Sequence, residues 1–163
     1  MAQETLSSAI LIIAAIIATV ALVNAVYPSL FASTSSIGSA STATSDRVKT
    51  DVRVVETSSP NATALAVWAK NVGSTEISAS ELAYSDVFFG GDRNSMARVS
   101  TDLGDPCHWS YIMSDTDGDG QWSPGETLEV LITDASGSHL AAGTHYVKLT
   151  LYNSASVEAT VTI

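Results

Sequence analysis

Cys107 is the sole cysteine of the chain, so no internal disulfide can staple it. The thiol is expected to be buried, with an intermolecular or reactive role as the alternatives. Charge is absent over a long stretch: after Glu4 the next charged residue is Asp46, and all seven Lys and Arg follow it. No phosphate loop, dinucleotide fingerprint or Gly-x-Ser-x-Gly elbow occurs, which leaves enzymatic chemistry without a motif to stand on. His108, His139 and His145 have neither metal-ligand spacing nor a nucleophile beside them, and they read as strand or surface residues. Basic residues are few, 7 against 17 acidic, and the formal charge is −10. Such a surface repels phosphate backbones, so nucleic acid is not an expected partner; it suits a salty exterior and attracts cations.

The chain opens instead with an apolar run from Leu6 to Val26. As a helix it spans the roughly 30 Å hydrocarbon core of a bilayer, which needs about 20 residues. A cleaved secretory signal fits poorly, because Met-Ala-Gln-Glu-Thr supplies no basic leading region. A buried core helix would need a far larger domain around it. A plain membrane anchor fits the length but gives no reason for the uncharged Ser, Thr, Ala and Gly that continue to Ser45, with Leu30, Phe31 and Ile37 at helical spacing. Small residues let helices approach closely, and Ser and Thr hydroxyls bond across helices or back to their own carbonyls.

These features predict a helix that packs against copies of itself in a filament. Leu6, Ile10, Ile13, Ile17, Val20, Tyr27 and Phe31 are its expected self-assembly positions. Continued to Ser45 the helix would be about 60 Å long, longer than any bilayer core. The competing expectation is a flexible Ser/Thr linker after Val26, with Pro28 at the break.

Residues 1–45 thus read as a hydrophobic helix and stem, and 46–163 as one acidic head of ordinary single-domain size. In the head, Val48 to Glu56, Ala64 to Asn71, Leu82 to Phe89, Trp109 to Met113, Thr127 to Thr133, His145 to Tyr152 and Val157 to Ile163 read as short strands. Val147, Leu149 and Leu151 alternate with Tyr146, Lys148, Thr150 and Tyr152, which marks one buried face. Turn residues separate the strands and no helix pattern intervenes, so the expected class is α+β: a long hydrophobic N-terminal helix followed by an immunoglobulin-like antiparallel β-sandwich. Trp68, Trp109 and Trp122 are expected core anchors, with a carbohydrate platform as the alternative.

One segment carries a specific chemical pattern. Asp115-Thr-Asp117-Gly-Asp119-Gly120-Gln121-Trp-Ser123-Pro-Gly-Glu126 matches the twelve-residue calcium loop. Carboxylates fall at positions one, three and five, Gly120 at the sharp turn, the Gln121 carbonyl at seven, Ser123 at nine and Glu126 at twelve. Ca²⁺ is the expected cofactor, and an acidic hairpin turn with solvated carboxylates is the alternative. Asn61-Ala-Thr63 is an N-glycosylation sequon after Pro60.

Ala9-Ile-Leu-Ile-Ile-Ala in the helix, Thr50-Asp-Val-Arg-Val-Val at the head's start, Trp68-Ala-Lys-Asn-Val-Gly-Ser and Trp122-Ser-Pro-Gly-Glu-Thr-Leu-Glu-Val together resemble the archaeal flagellin group, and within it most the archaellum accessory protein G family. The resemblance covers nearly the whole chain. It implies a non-enzymatic subunit of a type IV pilus-like filament, extracellular once assembled and membrane-inserted before, whose partners are copies of itself, other archaellum proteins and the surface layer. A static accessory or stator part of the motor is the second role it allows. From another class, a monomeric membrane-anchored module using the calcium loop to hold a ligand also fits the residues. The resemblance further implies a basic leader cut by a prepilin peptidase. No Lys or Arg precedes the helix here, which points to a leader outside this sequence or to a helix used unprocessed.

Overall fold

The computed structural model describes residues 2–163, with side chains from Thr5 onward. A single helix, α1, runs Ala2–Lys49 and contains Pro28. The flexible linker after Val26 is therefore not what the structure holds: residues 27–45 are helical. The local reason is visible in the hydroxyls. Those of Thr19, Ser29, Thr34, Ser36, Ser39 and Thr44 donate to carbonyls three or four residues back at 2.8–3.0 Å. Satisfied this way, Ser and Thr do not compete with the helix ladder as they do in linkers. Pro28 removes one N–H from that ladder, yet the flanking turns hold the helix together.

By packing, one compact unit ends at Thr44 and a second runs Ser45–Ile163. The second unit contains β1 (Val52–Asn61), β2 (Ala64–Asn71), β3 (Ile77–Ser78), a short α2 (Ala79–Leu82), β4 (Asp86–Gly90), β5 (Ala97–Arg98), β6 (Cys107–Ser114), β7 (Gln121–Trp122), β8 (Thr127–Asp134), β9 (Thr144–Thr150) and β10 (Ser156–Thr162). One sheet has the order β1-β2-β8-β6 and the other β10-β9-β4-β5, with β3 and β7 forming a small separate pair. Each pairing between these strands is antiparallel, and a lone parallel bridge joins Ser100 to His108.

Alternation along the strands builds the core between the two sheets. In β8, Leu128, Val130 and Ile132 are buried while Thr127, Glu129 and Leu131 face outward. In β9 and just after it, Val147, Leu149 and Leu151 are buried, as their alternation with polar residues predicts. Leu65, Val67, Val87 and Val161 complete the layer. Each such side chain contributes about 2 kcal/mol relative to exposure.

Three local expectations are corrected. The first strand begins at Val52, because Val48 and Lys49 still belong to α1, and it runs past Glu56 to Asn61. The expected strand from Leu82 starts only at Asp86, because residues 79–82 form a helical turn. The cause is a capping box: Ser78 and Glu81 exchange hydrogen bonds between side chain and backbone, satisfying two N–H groups of the turn. Trp109 and Trp122 are core residues, but Trp68 is only half-buried, on the outer side of its sheet between Glu56 and Glu129. Its neighbours Val67 and Ala69 take the inward positions, and strand periodicity sends position 68 outward.

Candidate functional site

The acidic segment forms the connection from β6 to β8, interrupted only by the two residues of β7. Its carboxylates turn back on their own backbone. Asp115 accepts the Gly118 N–H at 2.6 Å and the Gly120 N–H at 2.9 Å through its two oxygens. Asp119 accepts the Gln121 N–H at 2.7 Å, and its other oxygen is 3.5 Å from the Ser123 hydroxyl. Glu126 accepts the Thr116 N–H at 2.5 Å and the Ser123 N–H at 3.0 Å, which closes the loop from its far end. Gly118 and Gly120 sit at φ +79° and +75°, a conformation that favours glycine.

The fold brings Asp115, Asp117 and Glu126 together: each offers an oxygen, and these atoms lie within 4.8 Å of one another. Asp119, Gln121 and Ser123 stand beside this trio on the same loop. Asp115 and Asp117 are exposed, while Glu126 is buried. The N–H groups of Gly120 and Gly118 hold the Asp115 carboxyl below its ordinary value. Those of Thr116 and Ser123 do the same for Glu126. For Asp117 the Asp119 N–H favours the charged form, but desolvation and the charges of Asp119 and Glu126 outweigh it and push the carboxyl up. Such a cluster is anionic and self-repelling, and a hard cation with oxygen preference would relieve that repulsion.

Asn71, expected as the last residue of a strand and the first of a turn, joins this loop to the end of α1. Asn71 is fully buried. Its side-chain amide donates to the Trp122 and Thr75 carbonyls, both at 2.9 Å, and its Oδ1 accepts the Gly73 N–H at 3.0 Å. Its backbone N–H donates to the Glu126 carbonyl at 3.0 Å and its carbonyl accepts from Gly125 at 2.7 Å. The adjoining turn in its turn holds the last turn of α1, with Ser74 N–H donating to the Lys49 carbonyl and Val72 and Gly73 N–H donating to that of Asp51, all at 2.9 Å. The Asn-Val-Gly signal was legible as a turn, but the burial of its first residue was not.

The expected self-assembly positions lie along α1. Leu6, Ile10, Ile13, Ile17 and Val20 are 55–64% exposed, and Leu11, Ile12, Ile16, Leu22 and Val23 on the other sides of the helix are equally open. A helix apolar on every side needs an apolar environment all round it. Beyond Val26 the apolar residues narrow to Tyr27, Leu30, Phe31 and Ile37, with the Tyr27 and Phe31 rings 6.5 Å apart. Asn61 is exposed at the β1–β2 hairpin, where its Oδ1 accepts both the N–H and the hydroxyl of Thr63 at 2.9 Å.

The model of the archaeal-type flagellin family matches residues 2–161. An uncharacterized protein of Archaeoglobus fulgidus is 29% identical over 156 residues, 94% of each chain. Among solved structures, the archaeal flagellum of Methanospirillum hungatei is similar with a TM-score of 0.67 at 16% identity, over 97% of this chain and 92% of that one. The archaellum periplasmic stator protein FlaG from Sulfolobus acidocaldarius is similar with a TM-score of 0.56 at 18% identity, over 69% of this chain and 99% of that one. A chain of the archaellum periplasmic stator protein complex FlaF and FlaG from the same organism gives a TM-score of 0.53 at 18% identity, over 68% of this chain and 87% of that one.

Proposed function

From the premise that this chain belongs to the archaeal-type flagellin family, whose members are structural proteins and not enzymes, we propose that it is a subunit of an archaellum-type surface filament that polymerises through α1. The observation that carries the reading is the length and uniformity of that helix. It is uncharged between Glu4 and Asp46, about twice as long as a bilayer core requires. Seven of its hydroxyls beyond Val26, those of Ser29, Thr34, Ser35, Ser36, Ser39, Thr42 and Thr44, are satisfied internally. A solvated spacer has no use for that, whereas a helix packed dry among its copies does. Before assembly the apolar run from Leu6 to Val26 would reside in the membrane; afterwards the bundle of neighbouring helices replaces the lipid and the acidic head faces outward. Other archaellum proteins and the surface layer would be its further contacts.

A second reading, an accessory or stator component, is favoured by the likeness to FlaG, which covers 69% of this chain and nearly all of that one. Negative-stain microscopy of native, purified full-length protein separates the two. Ordered filaments are expected, and uniformly dispersed particles would overturn the filament role.

Two site assignments accompany this reading. The Asp115–Glu126 loop takes Ca²⁺, with Asp115, Asp117, Asp119, Ser123 and Glu126 as side-chain ligands and the Gln121 carbonyl as a backbone one. Asn61 carries a glycan on an exposed hairpin; intact-mass measurement of the native protein and of Asn61→Gln is expected to differ by a saccharide mass, and equal masses would refute it.

A further inference from the structure

The β1-β2-β8-β6 sheet has two edges, and they differ from those of the opposite sheet. There, β5 is two residues long with Arg98 paired to Asp86, and β10 carries Glu158 paired to Arg93. A two-residue edge and an edge carrying a paired charge both resist pairing with another chain. By contrast, β6 is eight residues long and contains no Asp, Glu, Lys, Arg, Pro or Gly. Trp109 donates its N–H to Ser100, away from β8. Antiparallel alternation then points the amides of Tyr111 and Met113 the same way, and among the described residues no main chain meets them. Ile112 is 62% exposed on this strand. On the opposite face of the strand, Leu82, Leu103, Trp109 and Tyr111 line a groove of about 400 Å³.

The other edge of the same sheet, β1, has the complementary character. Three successive antiparallel pairings make β1 run opposite to β6. A copy displaced sideways in the plane of the sheet therefore presents β1 to β6 in antiparallel sense with no rotation. Register decides which charges meet. Arg53, Lys70, Thr127 and Ser114 form one row across the sheet, so Arg53 of the second copy arrives beside Ser114, where the chain continues into exposed Asp115, Asp117 and Asp119. With Glu126 the loop holds four carboxylates, so even a bound divalent cation leaves it negative. The Arg53 side chain is 74% exposed, and its ion pair with Asp51 is long at 3.9 Å. The register shift after Val54 leaves Val55 as an extra residue, and regular pairing resumes from Glu56 to Ser58, in the rows of Ile112 to Ser110.

We propose that the β6 edge takes the β1 edge of a second copy, so that one sheet continues from head to head. Main-chain bonds to Tyr111 and Met113 supply the affinity and the Arg53 to acidic-loop attraction sets the register. The contact is head-to-tail and does not close on itself, so it repeats along an assembly. It rests on the polymer reading above, and its test separates the two.

Full-length chain with Cys107→Ser, Glu56→Cys and Ile112→Cys keeps Arg53 and places two thiols of one sheet row across the contact. After assembly and treatment with a short bis-maleimide, a ladder of three or more linked copies is expected on a denaturing gel. Filaments in the microscope without a ladder would overturn this contact and leave the filament role standing; neither filaments nor ladder would overturn both. Dimers alone, formed equally by the Ile112→Cys variant without Glu56→Cys, would mean that β6 pairs with itself and would also overturn it. Adding Arg53→Glu is expected to lower the ladder yield about tenfold while Arg53→Lys keeps it, because like charge at a contact suppresses pairing. An undiminished ladder in Arg53→Glu would sink the charge register.

Discussion

The backbone N–H of His139 donates to the carboxylate of Asp134 at 2.6 Å, and Asp134 is fully buried where β8 ends. The Ser136 hydroxyl and N–H donate to its other oxygen at 2.5 and 3.1 Å. Burial by itself would raise this carboxyl, but the bonds from Ser136 and His139 outweigh it and bring it down to about 2. The acid thus organises the loop between the two sheets, from Asp134 to His139, through its charge.

That relationship fixes the sign of an acid response. A folded-state value below the unfolded one means stability that is fully present above about pH 4 and is lost as pH falls toward 2. The contribution is about 2 kcal/mol. Melting curves by circular dichroism should show the head losing stability over this window. Asp134→Asn should melt roughly 8 °C lower at pH 7, and its curve should fall less between pH 4 and 2. An equal acid response in the variant would show that other carboxylates carry it.

Placing a charge in α1 should abolish assembly without unfolding the head. Ile13 lies within the apolar run, and a carboxylate there costs on the order of 3 kcal/mol in an apolar interior. Ile13→Asp should yield no filaments by electron microscopy while the β-sheet signal of the head and its melting temperature remain. Normal filaments from this variant would refute the role given to the helix.

Chelation should lower the melting temperature of the head. At Ca²⁺ tenfold above its dissociation constant the folded state gains about 1.4 kcal/mol, or several degrees for a domain of this size. Asp117→Asn with Asp119→Asn should remove most of the response. The cation assignment is falsified if wild type melts identically in millimolar Ca²⁺ and in excess chelator at matched ionic strength.

Gly73 should not accept a side chain. A Cβ there would lie 2.4 Å from the Lys49 carbonyl oxygen and 2.6 Å from the Asp51 nitrogen, both main-chain atoms that cannot swing aside. Gly73→Ala should destabilise the head by about 2 kcal/mol. Gly91, with open space around it, is the control, and Gly91→Ala should stay within about 0.5 kcal/mol of wild type. Equal melting of the two variants would contradict the tight seat of the turn on α1.

Legibility tracked the range of the interactions involved. The strand of residues 144–150 was plain because alternation is a property of neighbouring residues, and so was the helical character of Leu6 to Val26. The stem beyond Val26 was ambiguous, since Ser and Thr suit a linker or a helix, and their hydroxyl bonds decide between them only once the backbone is placed. The capping box of Ser78 and Glu81 was local and could have been read; its four-residue turn was masked by the β-rich text around Leu82. Trp68 was misplaced inward because size alone does not say which face of a strand a residue takes.

By itself the sequence determined what composition and short-range pattern can specify: an apolar helix from Leu6 to Val26 with an uncharged stem after it, an acidic β-rich head, and the order of oxygen ligands along Asp115 to Glu126. Only the tertiary structure decided which distant groups meet. It placed Asn71 between Trp122, Glu126 and the turn that holds Lys49, gathered Asp115 with Glu126, and left β6 as a long uncharged edge. Those outcomes depend on sheet order and register, which arise from the cooperative packing of the whole head and are written in no local stretch of residues.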